Sequence, residues 1–511
     1  MRKVISGEEL KEAMIEAVNL LCDTVSSTLG PTGNNVLINN SETTPFITND
    51  GVTIANNIES EDKGINTILE IVKEASLKTN EISGDGTTTT LVLLQSIFNL
   101  GIEEINKGMN KIVLKNNLLS YMNRIVDEID KLKKKPSKED YLSVAKTSSN
   151  DKEIANTTTE VYLKMKSKHS IKLEESSNEE TYYVNKKGYN IEINNMSSMY
   201  FTKNKSIELK NTKILILKGY LDSLESISDI INDILVNDKN LIIFTEGLSE
   251  TIKNEVLVYY FNHKNIYIVE LEEYASHRDN IEEDIKVLTN CNIKNINYEE
   301  INYNDLGTIS NIIIKEDEII LISNNKSCLE LIHKLKNELK ICKSDYEKDF
   351  INSRISKLEN GITTIYVGET TKTEKREKIM RFEDAICALE AASNGIVPGE
   401  GITYLQIANN IELKDETSLI IKKSLEKPFE KVLSNLGKDY KDIKKQIINK
   451  DYKYIYDYQK DKLISIKESI IIDPVEVIIQ SFKNALSIAA ILLSTSSLVI
   501  NIEEKEDMHI L

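Results

Sequence analysis

The stretch Ser83-Gly84-Asp85-Gly86-Thr87-Thr88-Thr89-Thr90 separates two helical patterns. Upstream, Ile68, Leu69, Val72 and Ala75 recur on one side of a helix predicted over 65–82. Downstream, Leu91-Val92-Leu93-Leu94 opens a more apolar helix that reaches 105. A turn that feeds backbone N–H groups into a helix start is an anion cradle. Glycines let the backbone approach an oxygen-rich ligand closely. Asp85 is ill suited to touch phosphate itself, since like charges repel, and well suited to hold a cation that touches it. The same residues also fit a plain helix start capped by Asp85 or Thr87. The local motif alone leaves both readings open.

Outward towards the N-terminus, Leu10, Met14, Ala17, Leu21 and Val25 repeat on one helical face, behind a capping-box pattern of Ser6 and Glu9. That helix stops at Leu29-Gly30-Pro31-Thr32-Gly33. Short strands are expected at 35–39 and 46–48, ending at Asn49-Asp50-Gly51, a strong turn signal. Three breaks between long elements thus carry ligand-loop residues.

Towards the C-terminus, helical pattern continues to about 135 with a break near Gly108. Lys133-Lys134-Lys135-Pro136-Ser137 marks a boundary. A helix over 153–165 and strands near Ile171 and Tyr182 follow. Strands over 213–217, 241–244 and 266–269 alternate with helices over 221–235 and 250–260, a βαβαβ rhythm that predicts an α/β core. The segment 325–357 reads as long and helical, and 362–367 as a strand. A helix over 375–393 carries Arg381, Glu383, Asp384 and Cys387, and ends at the second glycine-rich loop, Asn394-Gly395-Ile396-Val397-Pro398-Gly399-Glu400-Gly401. Alternating Tyr452, Tyr454, Tyr456 and Tyr458 read as extended chain. Ile470-Ile471-Ile472-Asp473-Pro474 ends a strand and opens a final apolar helix.

The 511 residues exceed one ordinary core, so several domains are expected. A net charge of −17 argues against a nucleic-acid partner, whose binding rests on a basic field. Five scattered cysteines fit a reducing compartment, and five histidines without an HExxH-type cluster argue against transition-metal chemistry. The N-terminal residues lack an apolar signal core and the uncharged run at 484–501 reads as a buried helix running into a strand. The expectation is a cytoplasmic protein that does not enter a membrane.

Four carboxylates stand at breaks or on helix faces: Asp50, Asp85, Asp384 and Asp473. Metal-assisted phosphoryl transfer needs such oxygens and phosphate donors. Spacing alone does not bring these residues together. The ordered set Thr28-Leu29-Gly30-Pro31-Thr32-Gly33-Asn34-Asn35-Val36, Ile47-Thr48-Asn49-Asp50-Gly51-Val52, Gly84-Asp85-Gly86-Thr87-Thr88-Thr89, Gly108-Met109-Asn110, Phe382-Glu383-Asp384-Ala385, Gly395-Ile396-Val397-Pro398-Gly399 and Ile472-Asp473-Pro474 resembles the group I chaperonins of the bacterial and mitochondrial type.

The resemblance implies the chaperonin fold, a multidomain α/β and α architecture. A mainly helical equatorial domain would span 1–131 and 395–511, a small intermediate domain 132–187 and 362–394, and an α/β apical domain 188–361. It implies a seven-membered ring, single or double, that binds unfolded polypeptides and hydrolyses ATP, with or without a lid co-chaperonin. Asp85 resembles the Mg²⁺ ligand and Gly86, Thr87, Thr88 and Thr89 the phosphate donors. Leu29, Gly30 and Pro31 resemble the other side of the nucleotide pocket, and the Thr28 and Thr88 region a potassium site. Asp50 and Asp384 resemble the pair that activates water, and Gly399 and Asp473 the base and ribose contacts. Tyr200, Phe201, Leu224, Ile231, Leu257 and Val258 resemble the apolar polypeptide-binding face.

The chain departs from the family pattern at Asn49, where lysine is usual, and at Glu400, which replaces the middle of three glycines. In the apical region Ser228 and Lys253 replace leucines and Met196 a tyrosine. These departures motivate an alternative, a ring-forming structural or holdase paralogue with little ATP cycling.

Overall fold

The computed structural model describes residues 2–39, 45–149, 151–186, 188–193, 201, 206–237, 239–263, 265–271, 275–322, 328–342, 344–467 and 469–501. It divides into two compact units: Met1–Glu160 with Met380–Leu511, and Val161–Ile379.

The first unit is mainly helical. Helices Gly7–Ser26, Lys63–Ser83, Thr87–Asn106, Lys111–Leu132, Glu416–Asn435 and Val475–Ser494 pack around one apolar core. The 3.6-residue repeat of Leu10, Met14, Ala17, Leu21 and Val25 puts all five side chains in that core. Val475–Ser494 is long and apolar enough to cross a membrane, but two-thirds of its most apolar window (67%) is buried inside the protein, as befits a core helix. Ser6 precedes the first helix but makes no side-chain cap. Instead Arg2–Ser6 forms a strand paired antiparallel with Ser497–Asn501. Val36–Ile38 and Phe46–Thr48 form a second two-stranded sheet. A third pairs Ile396–Pro398 with Ile472–Pro474, so Val397 faces Asp473 across the ladder. The alternating tyrosines fall on and around the strand Tyr454–Asp457, paired with Lys462–Ser465.

The second unit is built on a seven-stranded mixed sheet. Strands Ile207–Leu221, Leu241–Leu248 and Ile266–Glu270 run parallel, linked by helices Ser228–Val236 and Glu250–His263. Alternation divides their side chains between two cores. Ile214, Ile216, Ile242 and Phe244 enter one, and Leu215, Leu217, Leu241 and Ile243 the other. A separate three-stranded sheet joins Ile171–Glu175, Ile362–Val367 and Tyr182–Lys186. The long helical segment is two helices, Cys328–Ile341 and Asp345–Asn360, because Ser344 caps the second through the Glu347 N–H.

One buried ion pair ties three elements of this unit together. Arg354 donates from Nε and Nη2 to both oxygens of Asp284, at 2.9 and 2.7 Å. The Tyr189 hydroxyl donates to Asp284 Oδ2 at 2.6 Å, and Arg354 Nη1 to Asn280 Oδ1 at 2.7 Å. Removing one partner of such a pair strands a buried charge. Arg354→Ala is therefore expected to destabilise this unit by about 3–5 kcal/mol. Urea unfolding with hydrogen exchange over 189–192, 275–289 and 345–360 measures it. The double replacement of Arg354 and Asp284 by leucine should recover most of the loss; an equal loss in the double variant would contradict the account.

Candidate functional site

Gly84 and Gly86 both hold left-handed φ values, 66° and 85°. Gly84 closes helix Lys63–Ser83 and Gly86 is the N-cap of helix Thr87–Asn106. Neither Asp85 nor Thr87 is the cap. The first bond of the second helix runs from the Thr90 N–H to the Gly86 carbonyl, at 3.0 Å. The N–H groups of Thr87, Thr88 and Thr89 thus stand ahead of the helical ladder, as the donors an anion would need. The turn has no room for larger residues. A Cβ on Gly84 would lie 2.3 Å from Cys387 Cβ, and one on Gly86 2.5 Å from Ser481 Oγ.

The Asp50-Gly51 turn rests on the same threonines. A Cβ on Gly51 would come within 2.7 Å of Thr88 Oγ1 and 2.8 Å of Thr87 Oγ1. Asp50 caps the short helix Gly51–Asn56, accepting the Val52 and Thr53 N–H groups at 3.3 and 2.8 Å. The Thr53 hydroxyl adds a third bond at 2.5 Å. Helix Lys372–Ser393 supplies Asp384, and Cys387, one turn on, packs against Gly84. Residues three apart share a helix face, so Asp384 is carried over the glycine turn.

The electrostatics bind these groups into one cleft. Burial pushes the Asp384 carboxyl up to about 7, with Asp85, Asp50 and Glu383 raising it further. Burial also raises Asp85, against the stabilising Gly86 N–H at 2.5 Å and with a further push from Asp50. Yet Asp85 and Asp384 both keep exposed surface. Groups hemmed in by protein but wetted by solvent line a cleft rather than a core. Burial and then Asp85 push Asp473 up to about 7, opposed by the Glu400 N–H on its carboxylate. Burial pushes Glu400 to about 8, with Asp473 and Asp457 adding. Among the described residues no lysine or arginine relieves Asp85, Asp384, Asp473 or Glu400.

Asp50, Asp85, Asp384 and Asp473 are thus brought together, with Gly399 beside them: a Cβ there would sit 3.0 Å from Asp473 Oδ1. The Thr28–Pro31 turn is held by helix Glu416–Asn435. Gly30 (φ 92°) backs onto Val432, and Asn435 donates to the Leu29 carbonyl at 2.8 Å. The Thr28 hydroxyl donates to the Val25 carbonyl at 2.8 Å. Glu400 has φ 53°, a left-handed backbone that costs a residue with a side chain about 1–2 kcal/mol.

Sequence reading missed the wall formed by the final helix. Ser481 donates to the Gly86 carbonyl at 3.1 Å, and Asn484 to Thr79, whose hydroxyl meets that of Thr90 at 3.0 Å. Ser481 and Asn484 are polar exceptions three apart in an apolar helix, a signal that could have marked them.

Among the described residues no three His, Cys, Asp or Glu side chains form a metal cluster. The donor set nonetheless suits Mg²⁺, which takes one or two carboxylates and completes its shell with phosphate oxygens and water. Asp85 offers that carboxylate beside free helix N–H groups.

The residues of the expected apolar face differ in exposure. Leu224 and Ile231 are buried in a core of the second unit, because helix Ser228–Val236 turns its isoleucines onto the sheet. Phe201 and Leu257 pack partly against the opposite core. Val258 is 59% exposed. Tyr200 and Met196 lie outside the described residues. Ser228 is exposed, and Lys253 bridges Glu250 and Glu270 at 3.3 and 3.4 Å.

The sequence pattern of the TCP-1/cpn60 chaperonin family matches residues 21–503. The chain is 30% identical over 531 aligned positions to the chaperonin GroEL of Onion yellows phytoplasma (strain OY-M), covering 99% of this chain and 98% of that protein. The chaperonin GroEL of Aster yellows witches'-broom phytoplasma (strain AYWB) is likewise 30% identical, with the same coverage. Among solved structures, the chaperonin gp146 from the bacteriophage EL 2 (Pseudomonas aeruginosa), crystallised in the presence of ATP-BeFx, superposes with a TM-score of 0.75 at 19% identity. That match covers 98% of this chain and 99% of gp146. Its second crystal form gives a TM-score of 0.66. At such identity the likeness speaks to fold.

Carboxyls raised from about 4 in the unfolded chain contribute stability that is complete below that value and is lost as pH climbs through 7 to 8. Asp384→Asn and Glu400→Gln should therefore raise the melting temperature relative to the unaltered protein, and more at pH 8.5 than at pH 5. Thermal melts without divalent cation or nucleotide measure this. A difference that does not grow with pH would contradict the assignment.

Proposed function

This chain belongs to the TCP-1/cpn60 chaperonin family, as a divergent group I member, and we propose that it folds other proteins by an ATP-driven cycle in a ring. The carrying observation for the nucleotide is the turn itself, where three free helix N–H groups flank the carboxylate of Asp85. Asp85 would hold Mg²⁺ and Gly86, Thr87, Thr88 and Thr89 the phosphates. Leu29, Gly30 and Pro31 would close the opposite side, and Gly399 and Asp473 the base and ribose end. The gp146 crystals grown with ATP-BeFx support a nucleotide reading of this fold. A potassium ion near Thr28 and Thr88 is an expectation of the family resemblance only.

Bound Mg²⁺ supplies charge neutralisation for phosphoryl transfer. The chain's own residues supply the rest. Asp50, fixed by Thr53, and Asp384 orient the attacking water. Asp384, raised to near neutral, is suited to take the water's proton. Helix Lys372–Ser393 runs from the second unit into the first, where Asp384 and Asp85 both lie, so this one helix links the hydrolytic carboxylate to the second unit.

Three domains remain our subdivision, over 1–131 with 395–511, 132–187 with 362–394, and 188–361. The separate sheet of Ile171–Glu175, Tyr182–Lys186 and Ile362–Val367 supports an intermediate domain. Ring assembly is supported by two small sheets with open edges. Two-stranded sheets are marginal alone, and exposed edges invite pairing. Val4 and Val499 are 60% and 59% exposed on one, and Leu37 and Ile47 are 67% and 66% exposed on the other. Seven copies is the proposed number. A holdase reading is favoured by the burial of Leu224 and Ile231, which leaves less apolar surface for cycling substrates. Refolding of a denatured protein above its spontaneous yield, dependent on ATP, with or without a lid co-chaperonin, would exclude it.

Two outcomes follow. The protein should hydrolyse ATP only with Mg²⁺, and Asp384→Ala should reduce turnover at least about 100-fold while nucleotide still binds. Steady-state turnover and binding of a fluorescent nucleotide check this; unchanged turnover would contradict it. Leu37→Glu with Ile47→Lys should convert the assembly into monomers by light scattering, leaving helical content intact. An unaltered assembly mass would rule out the hairpin as an interface.

A further inference from the structure

Glu400 is the strained and uncompensated point of the cleft. It holds φ 53° between Gly399 and Gly401, where glycine would pay no steric cost. A strained residue that persists invites a functional explanation. The turn is fixed against the wall of the cleft, since Val397 pairs with Asp473 across the ladder and a Cβ on Gly399 would come within 3.0 Å of Asp473 Oδ1. The half-buried Glu400 side chain lies within electrostatic reach of Asp473, on strand Ile472–Pro474, and of Asp457, at the end of strand Tyr454–Asp457. Lys460 does not compensate Glu400, being spent on Asp457 Oδ2 at 2.9 Å, while the Gln459 and Lys460 N–H groups hold Asp457 Oδ1. Tyr404, on the next helix, gives its hydroxyl to the Ile478 carbonyl at 2.5 Å. Asp473 in turn lies within electrostatic reach of Asp85, at the phosphate end.

We propose that Glu400, once ionised, is a charge-based affinity determinant of this cleft, lowering its hold on polyanionic nucleotides while leaving uncharged nucleosides nearly unaffected. The inference rests on the nucleotide reading given above. The turn itself does not require a side chain at 400, since its neighbours on both sides are glycine. What the side chain adds is a carboxyl in a cleft that already holds carboxylates and must admit further negative charge. Repulsion across a partly desolvated cleft is stronger than across water, and it falls with salt. The consequence, wherever the pH leaves Glu400 charged, is a nucleotide held weakly and exchanged readily.

The test is calorimetric titration of the full chain at pH 9, where the Glu400 carboxyl is ionised, unaltered and as Glu400→Gln and Glu400→Gly, with MgATP and with adenosine. Glu400→Gln keeps the Cβ and the strain and removes only the charge; Glu400→Gly removes all three. Both variants should bind MgATP at least about fivefold tighter at low ionic strength, with adenosine changed less than about twofold and the MgATP gain shrinking in high salt. An unchanged MgATP affinity in Glu400→Gln would overturn the proposal. So would a gain confined to Glu400→Gly, or an equal gain for adenosine, since either would make the effect one of shape. If none of the three proteins binds MgATP, the nucleotide reading fails and this inference falls with it.

Discussion

Negative charge crowded into one wetted cleft is the constraint on which the rest of this protein depends. Asp384 and Asp473 are both driven towards neutral pKa values, and each is affected by Asp85. Among the described residues, folding alone gives these groups no cationic partner. A fold that assembles such a cluster holds an electrostatic cost until a ligand brings positive charge. A divalent cation carried by an anion does so only if the anion also finds donors. The glycine turn at 84–86 supplies them, because left-handed glycines end one helix and start the next with three unclaimed N–H groups.

The architecture of the first unit serves that turn. Core helices arriving from both ends of the chain close around it. Ser481 of the final helix grips Gly86, Cys387 packs on Gly84, and Gly51 lies on the threonine hydroxyls. None of these three contacts tolerates a larger residue at the glycine. The chain pays in steric freedom for a backbone that a ligand can approach. The second unit solves a different problem, that of a mixed sheet covered on both faces, with the Arg354–Asp284 pair buried beside one core.

Much of this was legible in the sequence, for physical reasons. The βαβαβ rhythm and the apolar repeat of the first helix follow from periodicities of 2 and 3.6, which need no tertiary information. The turn at Asp50 was legible because Asp-Gly is a local signal. The convergence of Asp50, Asp85, Asp384 and Asp473 was not, since residues hundreds of positions apart meet only through the core; resemblance carried that expectation. Local rules failed where tertiary pairing won. Ser6 gave up a capping role to a strand that pairs with the far end of the chain. The burial of Leu224 and Ile231, which resemble part of the apolar polypeptide-binding face, was not legible either, because it depends on how they meet the sheet. The strain at Glu400 was invisible, because φ is not written in residue type.

The central claim is that the cleft from Thr87 to Asp473 is a metal–nucleotide site. A structure of the assembled protein determined with MgATP tests it most directly. The account predicts triphosphate density at the N-terminal turn of helix Thr87–Asn106, a cation on Asp85, and the base end beside Asp473 and Gly399. A well-resolved cleft holding neither nucleotide nor cation at saturating MgATP, or nucleotide bound elsewhere, would contradict it.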